Sequence, residues 1–376
     1  MRTRAEPVPA LASLSALCAF ALLQSADPLA AAALPALVVG AAIALLRGEL
    51  DFARRAEAAQ WAFGALLLTW CLATAFAPDP RIGLALSVPP LAAAIVLVLA
   101  ARAHWTPAAR DALLVGLYAT AGVQCMQVLL ALAGGAAAGP AAVQAAAVPW
   151  LVAPNDLAWC TCLLAFLPGT WAHARTSVAR AACVLWVGVV LGAALAAESR
   201  LALACAVLAL GVPLLQRRPG VAVLAFTAAA ALLAVAWGKG LASLASRTEL
   251  WAAAIELGAA RPWTGIGPGG FMAALETTLP AASRIDPRGM PWPHSLPLEA
   301  FAVLGLPGLA ALAAVGLACL RRIPNRNAAS FGIMLAASPL VLLEASLLRT
   351  WVWFMLALLC GLPARADSPR AMEGSR

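Results

Sequence analysis

In this otherwise apolar chain, candidate functional polar residues accumulate in two neighbouring stretches. These are SRTELWAAAIELGAARPWTGIGPGGF at residues 246–271 and PWPHSLPLEAFAVLGLPGL at residues 291–309. Ser246 and Glu249 have the three-residue spacing of a capping box, in which each side chain bonds to a backbone N–H group of the first helical turn. A helix is therefore predicted to begin at Ser246, and Pro262 predicts its end.

The predicted helix places one arginine on an apolar side. Because successive residues turn by about 100° around a helix, Arg247 falls on the same side as an apolar stripe, whereas Glu249 and Glu256 point the other way. The stripe consists of Leu250, Trp251, Ala254, Ile255 and Gly258. An arginine pressed toward membrane or protein requires an anionic partner, so Arg247 is a candidate for anion binding.

The composition is that of a polytopic membrane protein. The 376 residues are 63% hydrophobic and 11% charged, with a mean hydropathy of +0.89, which excludes a soluble domain. The 25 Lys and Arg residues exceed the 17 Asp and Glu residues, but they lie singly or in pairs between apolar runs, so no nucleic-acid partner is predicted. The nine cysteines all lie in apolar segments and indicate neither disulfides nor a zinc site.

The predicted fold class is all-α, with about twelve transmembrane helices, the count being good to one span. A spanning helix needs about 20 mostly apolar residues. The candidate spans are 10–26, 28–46, 58–78, 82–101, 112–133, 156–172, 178–197, 200–216, 219–238, 298–320, 328–347 and 349–363. The first is interpreted as a spanning helix and not as a removed signal peptide.

The chain is predicted to form a single membrane domain over residues 1–376. Residues 1–238 hold spans one to nine, residues 239–297 form a large loop with short helices, residues 298–363 hold spans ten to twelve, and residues 364–376 form a cytoplasmic tail.

The distribution of basic residues predicts the orientation. With both termini in the cytoplasm, most of the Lys and Arg residues lie in cytoplasmic segments, as the positive-inside rule requires. The 239–297 loop is then periplasmic, and most of the remaining basic residues lie in it; long loops escape the rule. A second outer segment, about 134–155, is apolar and interrupted by prolines, which predicts a re-entrant or interfacial segment.

Two arginines follow a serine at predicted helix starts on the outer side. Arg200 follows Ser199, and Arg247 follows Ser246. A cation in the first turn of a helix opposes the helix dipole unless an anion shares the site. The two Ser-Arg starts therefore predict a phosphate or diphosphate clamp, built from guanidinium groups and free backbone N–H groups. The alternative is that each arginine extends to the lipid headgroups.

His294 is the one histidine of three that is predicted to lie on the outer side, immediately before an apolar span that contains Glu299. A neutral imidazole at the membrane surface is suited to act as a general base toward a hydroxyl nucleophile. The alternative is a solvated loop histidine without a role. No carboxylate pair with ligand spacing accompanies it, so no metal site is predicted.

The remaining polar motifs allow structural interpretations. The glycine-rich GIGPGGF at 265–271 lacks the strand and the Lys-Ser/Thr ending of a nucleotide-binding loop, so a series of tight turns is predicted. Asn155 is interpreted either as part of a helix cap or as a substrate contact. Glu344 and Arg349 are predicted to form an intramembrane pair.

These motifs together resemble the O-antigen ligase and O-antigen polymerase superfamily, which includes bacterial O-linked oligosaccharyltransferases. The resemblance lies in an Arg-x-x-x-Trp helix at Arg247, a glycine-rich turn ending at Phe271, and a histidine, His294, that leads into a Gly-x-x-Gly span. The Ser-Arg pair at 199–200, Pro-Asn-Asp at 154–156 and the closing WVWFMLALLCG at 351–361 fit as well. Ser295, Pro297 and Val303 depart from the usual pattern.

The resemblance implies a glycosyltransferase C-like fold of about twelve spans with a large periplasmic loop between the ninth and tenth. It also implies metal-independent transfer of a glycan from undecaprenyl diphosphate to an acceptor hydroxyl. By matched position, Arg247 and Arg200 would hold the diphosphate and His294 would activate the acceptor. Further substrate contacts are predicted at Ser199, Ser246, Arg261, Trp251, Asn155 and Glu299.

The predicted protein is therefore an O-antigen ligase-like enzyme of the bacterial inner membrane, with a periplasmic active site and no cofactor. Its predicted partners are the undecaprenyl-diphosphate-linked glycan donor, a lipid, glycan or protein acceptor, and membrane lipids. A polysaccharide polymerase of the same superfamily is one alternative. A transporter or flippase of a lipid-linked anionic substrate is another, but transporters place binding groups near the membrane midplane, whereas here the charged groups gather on one side beside a long loop.

Overall fold

The computed structural model describes residues 9–151, 153–167, 176–217, 240–278, 292–322 and 328–362. These residues form α-helices, joined by turns and by two 3-10 segments, Pro154–Leu157 and Leu163–Phe166. Over the described ranges the only β-type pairing is an isolated bridge between Leu50 and Ala103. The predicted all-α class is confirmed. The helices are α1 Leu11–Leu23, α2 Asp27–Leu46, α3 Ala58–Ala75, α4 Pro80–Ala85, α5 Val88–Arg102, α6 Pro107–Ala133, α7 Pro140–Ala145, α8 Ala158–Cys162, α9 Ser177–Ala196, α10 Arg200–Arg217, α11 Gly240–Ala260, α12 Gly270–Thr278, α13 Leu296–Arg321, α14 Ala328–Leu343 and α15 Thr350–Gly361.

Five of these helices are long and apolar enough to cross a membrane: α2, α3, α6, α9 and α13. This agrees with a polytopic membrane protein. The predicted ninth span, 219–238, residues 279–291 of the predicted periplasmic loop, and the predicted tail lie outside the described residues. The count of twelve spans, the division of residues 1–376 and the large loop stay predictions.

Two predicted spans are not continuous helices. The predicted span 82–101 divides into α4 and α5, with prolines at 89 and 90 in the first turn of the second helix, where the missing N–H is tolerated. The described part of the predicted span 156–172 alternates between 3-10 and α-helix, with Asp156 accepting a hydrogen bond from the Ala153 N–H at 2.9 Å. The 134–155 segment contains α7 and the fully buried Trp150, so it packs onto the helices.

The predicted helix start at Ser246 is wrong. α11 begins at Gly240, so both Ser246 and Arg247 lie inside the helix and Ser246 does not cap it. The preceding residues, GLASLA, are mostly alanine and leucine, which have high helix propensity and extend the helix past the serine. The face prediction holds for Leu250 and Ala254, which are buried, but Ile255 is 52% exposed.

The glycine-rich turn after α11 packs against a break in α13. Gly305 has φ 72° and ψ −168°, which interrupts the helix and frees backbone groups on both sides. The Ile266 N–H donates to the Ala302 carbonyl at 2.9 Å, and the Gly267 N–H donates to the Val303 carbonyl at 3.0 Å. The predicted series of tight turns is confirmed, and its partner is the broken helix.

The last helix, α15, is the centre of the aromatic core. Trp353 meets Phe63 edge-on at 5.9 Å between ring centroids and Trp70 at 5.4 Å, both from α3. Phe354 contacts Phe20 of α1 and Trp150. Edge-to-face aromatic contacts add about 0.5–1.5 kcal/mol each beyond buried area. The core therefore fixes the start of α15 relative to the rest of the helices, and the candidate site lies at that start.

Candidate active site

The short loop between α14 and α15, residues 344–349, is held in place by a carboxylate of the broken helix. Glu299, in the first turn of α13, accepts hydrogen bonds from the Ser346 hydroxyl at 2.9 Å and from the Leu347 N–H at 2.9 Å. Its side chain is buried. Both carboxylate oxygens are engaged by the loop, so Glu299 positions the loop, and its predicted substrate contact stays a prediction.

Glu344 is the centre of a buried polar network. Its Oε2 atom accepts hydrogen bonds from Arg247 Nη2 at 3.0 Å and from Asn155 Nδ2 at 2.9 Å, and its Oε1 atom lies 3.3 Å from His294 Nδ1. Arg247 also donates to the carbonyl of Leu343 through Nη1. The Glu344 carboxylate therefore joins three side chains from separate parts of the chain, all of which the sequence had singled out.

The contact with Glu344 sets the tautomer of His294. An ionised carboxylate only accepts hydrogen bonds, so Nδ1 of the imidazole carries the proton that it donates. In the neutral ring with the proton on Nδ1, the Nε2 atom is the basic nitrogen. A histidine with a carboxylate on Nδ1 is the arrangement by which general bases are oriented, because the carboxylate also stabilises the imidazolium that forms.

The backbone at His294 is in an unusual conformation. Its φ of 55° lies in the left-handed region, which non-glycine residues seldom adopt. The side chain is buried, and its ring lies 5.6 Å from the ring of Trp292. Such conformations cost about 1–3 kcal/mol and concentrate at functional sites, where the surrounding contacts impose them. Here Glu344 and Trp292 are two of those contacts.

The network extends from Glu344 to the start of α10. The amide of Asn155 that donates to Glu344 also accepts, through Oδ1, a hydrogen bond from the Ser199 hydroxyl at 3.1 Å. Ser199 Oγ in turn accepts from the Ala202 N–H at 3.2 Å, so Ser199 caps the helix that begins at Arg200. The predicted helix start at Arg200 is confirmed, and it lies at the same end of the helices as Glu344. Asn155 is part of the network, and its neighbour Asp156 accepts from the Ala153 N–H at the start of the 3-10 segment, as a cap does. The substrate contact predicted for Asn155 stays a prediction.

The predicted pair between Glu344 and Arg349 is wrong. Glu344 pairs with Arg247 and His294, whereas Arg349 Nη2 lies 3.1 Å from Asp156 Oδ2. The guanidinium of Arg349 also stacks on Trp292, with its Cζ atom 4.3 Å from the ring centroid. Proximity in sequence had suggested the pair, but the loop turns between the two residues, so each meets a different acidic or aromatic partner.

The other predicted contact residues lie apart from the network. Arg261 is exposed after the end of α11, and Trp251 is partly buried with its Nε1 atom buried and without a hydrogen-bond acceptor in the described part of the chain. Ser246 lies inside α11. Neither Arg261 nor Trp251 contacts Glu344 among the contacts above, and the predicted substrate contacts of all three residues stay predictions.

Sequence reasoning missed Glu344, Asp156, Trp292 and Arg349 as members of one site. The available signal was the presence of ionisable residues within apolar segments, which marks a functional site in a membrane protein. That signal was applied to Glu344 and Arg349, but the partners are far away in sequence: residues 155 and 247 for Glu344, and residue 156 for Arg349.

The arrangement combines a base with cations in a water-poor setting. Glu344 and Asp156 are almost fully buried, and Arg349 is 6% exposed, so each charge depends on its partner. The imidazole of His294 and the guanidinium groups of Arg247 and Arg349 lie together with these carboxylates. An all-helical membrane protein with such a site has the parts needed to transfer a group from a phosphorylated donor to a hydroxyl.

Comparison with known proteins agrees with this class. The O-antigen ligase family matches residues 156–313, which include Ser199, Arg200, Arg247, His294 and Glu299. The predicted resemblance is confirmed over this segment: residues 156–313 are similar to the O-antigen ligase family, which supports a membrane glycosyltransferase of the ligase or polymerase kind. The match covers less than half of the chain and leaves out Asn155, Glu344 and Arg349. No curated protein matches the chain.

Proposed function

We propose that the protein transfers a glycan from undecaprenyl diphosphate to an acceptor hydroxyl at the periplasmic face of the bacterial inner membrane. The hydrogen bond between His294 Nδ1 and Glu344 Oε1 carries the proposal, because a carboxylate on Nδ1 orients the ring and makes Nε2 the basic nitrogen. The family match over residues 156–313 supports the substrate class.

In the proposed reaction the acceptor oxygen attacks the anomeric carbon of the donor glycan. The proton of the hydroxyl moves to His294 Nε2, the new glycosidic bond forms, and the bond between the anomeric carbon and the diphosphate oxygen breaks. The electron pair of that bond leaves with undecaprenyl diphosphate. Attack from the side opposite the leaving group inverts the anomeric carbon. A positioned base contributes about 10²–10⁴-fold to such a step.

Arg200 and Arg247 are proposed to hold the diphosphate. Guanidinium groups form paired hydrogen bonds to phosphate oxygens, and positive charge at the leaving group stabilises the charge that develops there. Arg247 is held by Glu344 and the Leu343 carbonyl, which fixes its position before the donor binds. Metal-independent transfer is part of the proposal, since two arginines supply the charge that a divalent cation supplies elsewhere.

The test is transfer by the purified protein in lipid nanodiscs, from a labelled undecaprenyl-diphosphate glycan to a set of acceptors. Three acceptors distinguish a ligase, a polymerase and a protein transferase: a lipid A core, a second polyprenyl-linked glycan and a hydroxyl-bearing protein. Product with any one of them, together with release of undecaprenyl diphosphate, supports the proposal. Donor binding with movement of the glycan across the membrane and no product with any acceptor supports the transporter instead.

A further inference from the structure

Two N–H-bearing atoms of the Arg349 side chain have no hydrogen-bond acceptor among the described residues. The side chain is 6% exposed, and within the described part of the chain neither its Nε nor its Nη2 atom donates a hydrogen bond, although Nη2 lies 3.1 Å from Asp156 Oδ2. A guanidinium has five N–H donors, and leaving buried donors without acceptors is unfavourable. An acceptor supplied by a ligand removes that cost.

A second unused donor lies beside Arg349. Trp292 is buried, its ring lies under the Arg349 guanidinium with 4.3 Å from Cζ to the centroid, and its Nε1 atom also lacks an acceptor among the described residues. The same ring lies 5.6 Å from the ring of His294. The unused donors of Arg349 and Trp292 are therefore next to the proposed base.

The backbone favours the same kind of ligand at this place. Arg349 immediately precedes α15, a helix of 12 residues, so the positive end of its dipole and its first free N–H groups lie at Arg349. Helix N-termini bind phosphate and carboxylate groups for this reason. Together with a buried guanidinium that has unused donors, this start of a helix is suited to an anion.

We infer that Arg349 and Trp292 bind the diphosphate of the lipid-linked donor, as a third anion-holding group beside Arg200 and Arg247. This inference rests on the proposed function, since it concerns the same donor. Asp156 keeps the charge of Arg349 compensated when no donor is present, and its Oδ2 atom already accepts from the Ala153 N–H. Because the ion pair leaves Nε and Nη2 without hydrogen bonds to the described residues, the diphosphate adds bonds at these two atoms.

The experiment measures binding of undecaprenyl diphosphate and undecaprenyl monophosphate to the purified full-length protein in detergent, by titration calorimetry. Arg349→Gln is expected to weaken diphosphate binding about 10- to 100-fold, the usual effect of losing charge-assisted hydrogen bonds. Arg349→Lys keeps the positive charge but lacks the paired N–H donors of the guanidinium, and its affinity for the diphosphate is expected to fall at least about fivefold. Trp292→Phe keeps the stacked ring and removes Nε1, with an expected loss of a few-fold. Arg81→Gln, an exposed arginine in α4, is the control and is expected to stay within about twofold.

Asp156→Asn separates ligand binding from a structural role. If Arg349 serves only to pair with Asp156, both Asp156→Asn and Arg349→Gln disturb the same ion pair and have equal effects on binding, which would overturn the inference. If Arg349 binds the diphosphate, Asp156→Asn leaves the affinity unchanged or raises it. Should Arg349→Gln fail to fold, the double variant Asp156→Asn/Arg349→Gln removes both charges together and is expected to fold and to bind weakly.

The outcomes distinguish this inference from the proposed function. Wild-type protein that binds diphosphate more tightly than monophosphate, with Arg349→Gln losing that preference, supports the inference. If the wild-type protein prefers the diphosphate and Arg349→Gln binds the diphosphate within about twofold of the wild type, the role of Arg349 is overturned and the proposed function is not. Wild-type protein that binds the two lipids equally contradicts the anion site, and with it the proposed function.

Discussion

His294 Nδ1 and Glu344 Oε1 lie 3.3 Å apart, although the two residues are separated by 50 positions in the sequence. The same carboxylate holds Arg247 at 3.0 Å through its other oxygen. The proposed base and one proposed diphosphate ligand are therefore positioned by a single side chain. A change at Glu344 is expected to affect both, and to affect the chemical step more than donor binding.

Replacing Glu344 by glutamine tests this dependence. The amide retains the shape of the side chain but loses the charge that orients and stabilises the imidazolium, so we expect kcat for transfer to fall by about 10²–10⁴-fold. Donor affinity should change much less, because Arg247 keeps its charge and its hydrogen bond to the Leu343 carbonyl. Measuring kcat and the donor dissociation constant on the same preparation checks the prediction. Equal losses in both would contradict a positioning role.

Replacing Arg247, in contrast, should reduce donor affinity as well as transfer. Arg247→Ala is expected to weaken donor binding and to abolish transfer, and Arg247→Lys to restore little, since an ammonium lacks the paired donors of a guanidinium. The monodisperse fraction on size exclusion checks folding, and donor affinity and transfer rate report function. Arg81→Ala, at an exposed position, is the matched control. Full donor affinity in Arg247→Ala would place the diphosphate elsewhere.

The contact between the glycine-rich turn and the broken helix gives a prediction about stability. A Cβ atom added to Gly265 would lie 2.3 Å from the carbonyl carbon and oxygen of Val303, and its φ is +64°. Gly265→Ala is therefore expected to cost about 2–4 kcal/mol and to lower the melting temperature. Gly64, inside α3 with open space around it, is the control, and Gly64→Ala should be neutral or stabilising by up to about 1 kcal/mol. Equal melting temperatures for the two variants would contradict the packing.

The predicted orientation is tested by cysteine labelling in intact cells, with peptide mass spectrometry to separate the introduced cysteine from the native ones. Arg261→Cys, after α11, should react with a membrane-impermeant maleimide added outside. Arg47→Cys, after α2, should react only once the inner membrane is opened. Both arginines are exposed, so accessibility does not differ between them. The reverse pattern would put the candidate site in the cytoplasm and exclude the proposed donor.

The sequence was sufficient for those features that depend on local patterns. Apolar runs predicted the helical class, Ser199 predicted the helix start at Arg200, and the glycines after Pro262 predicted tight turns. Arg200, Arg247 and His294 were selected because charged groups in an apolar chain are costly and need a reason. Each of these inferences uses residues that are neighbours in the chain.

The features that the sequence did not predict depend on contacts between distant segments or on competition between local signals. Ser246 has a capping-box spacing, but the alanine and leucine residues before it favour helix more strongly, so the helix starts earlier. The sequence offers several cationic or polar residues that could pair with the Glu344 carboxylate. Only the folded chain determines that its partners are Asn155, Arg247 and His294 and not Arg349.

The most direct test of the central claim compares wild-type protein with His294→Ala in a single-turnover transfer from a labelled undecaprenyl-diphosphate glycan, with donor binding measured in parallel. A hydroxyl must lose its proton as the new bond forms, so removing the base should slow transfer by about 10²–10⁴-fold. Donor affinity should remain within about threefold, the arginines being intact. Transfer by His294→Ala at a rate close to that of the wild type would contradict the account, because the hydrogen bond from Nδ1 to Glu344 would then orient a residue that takes no part in the chemistry.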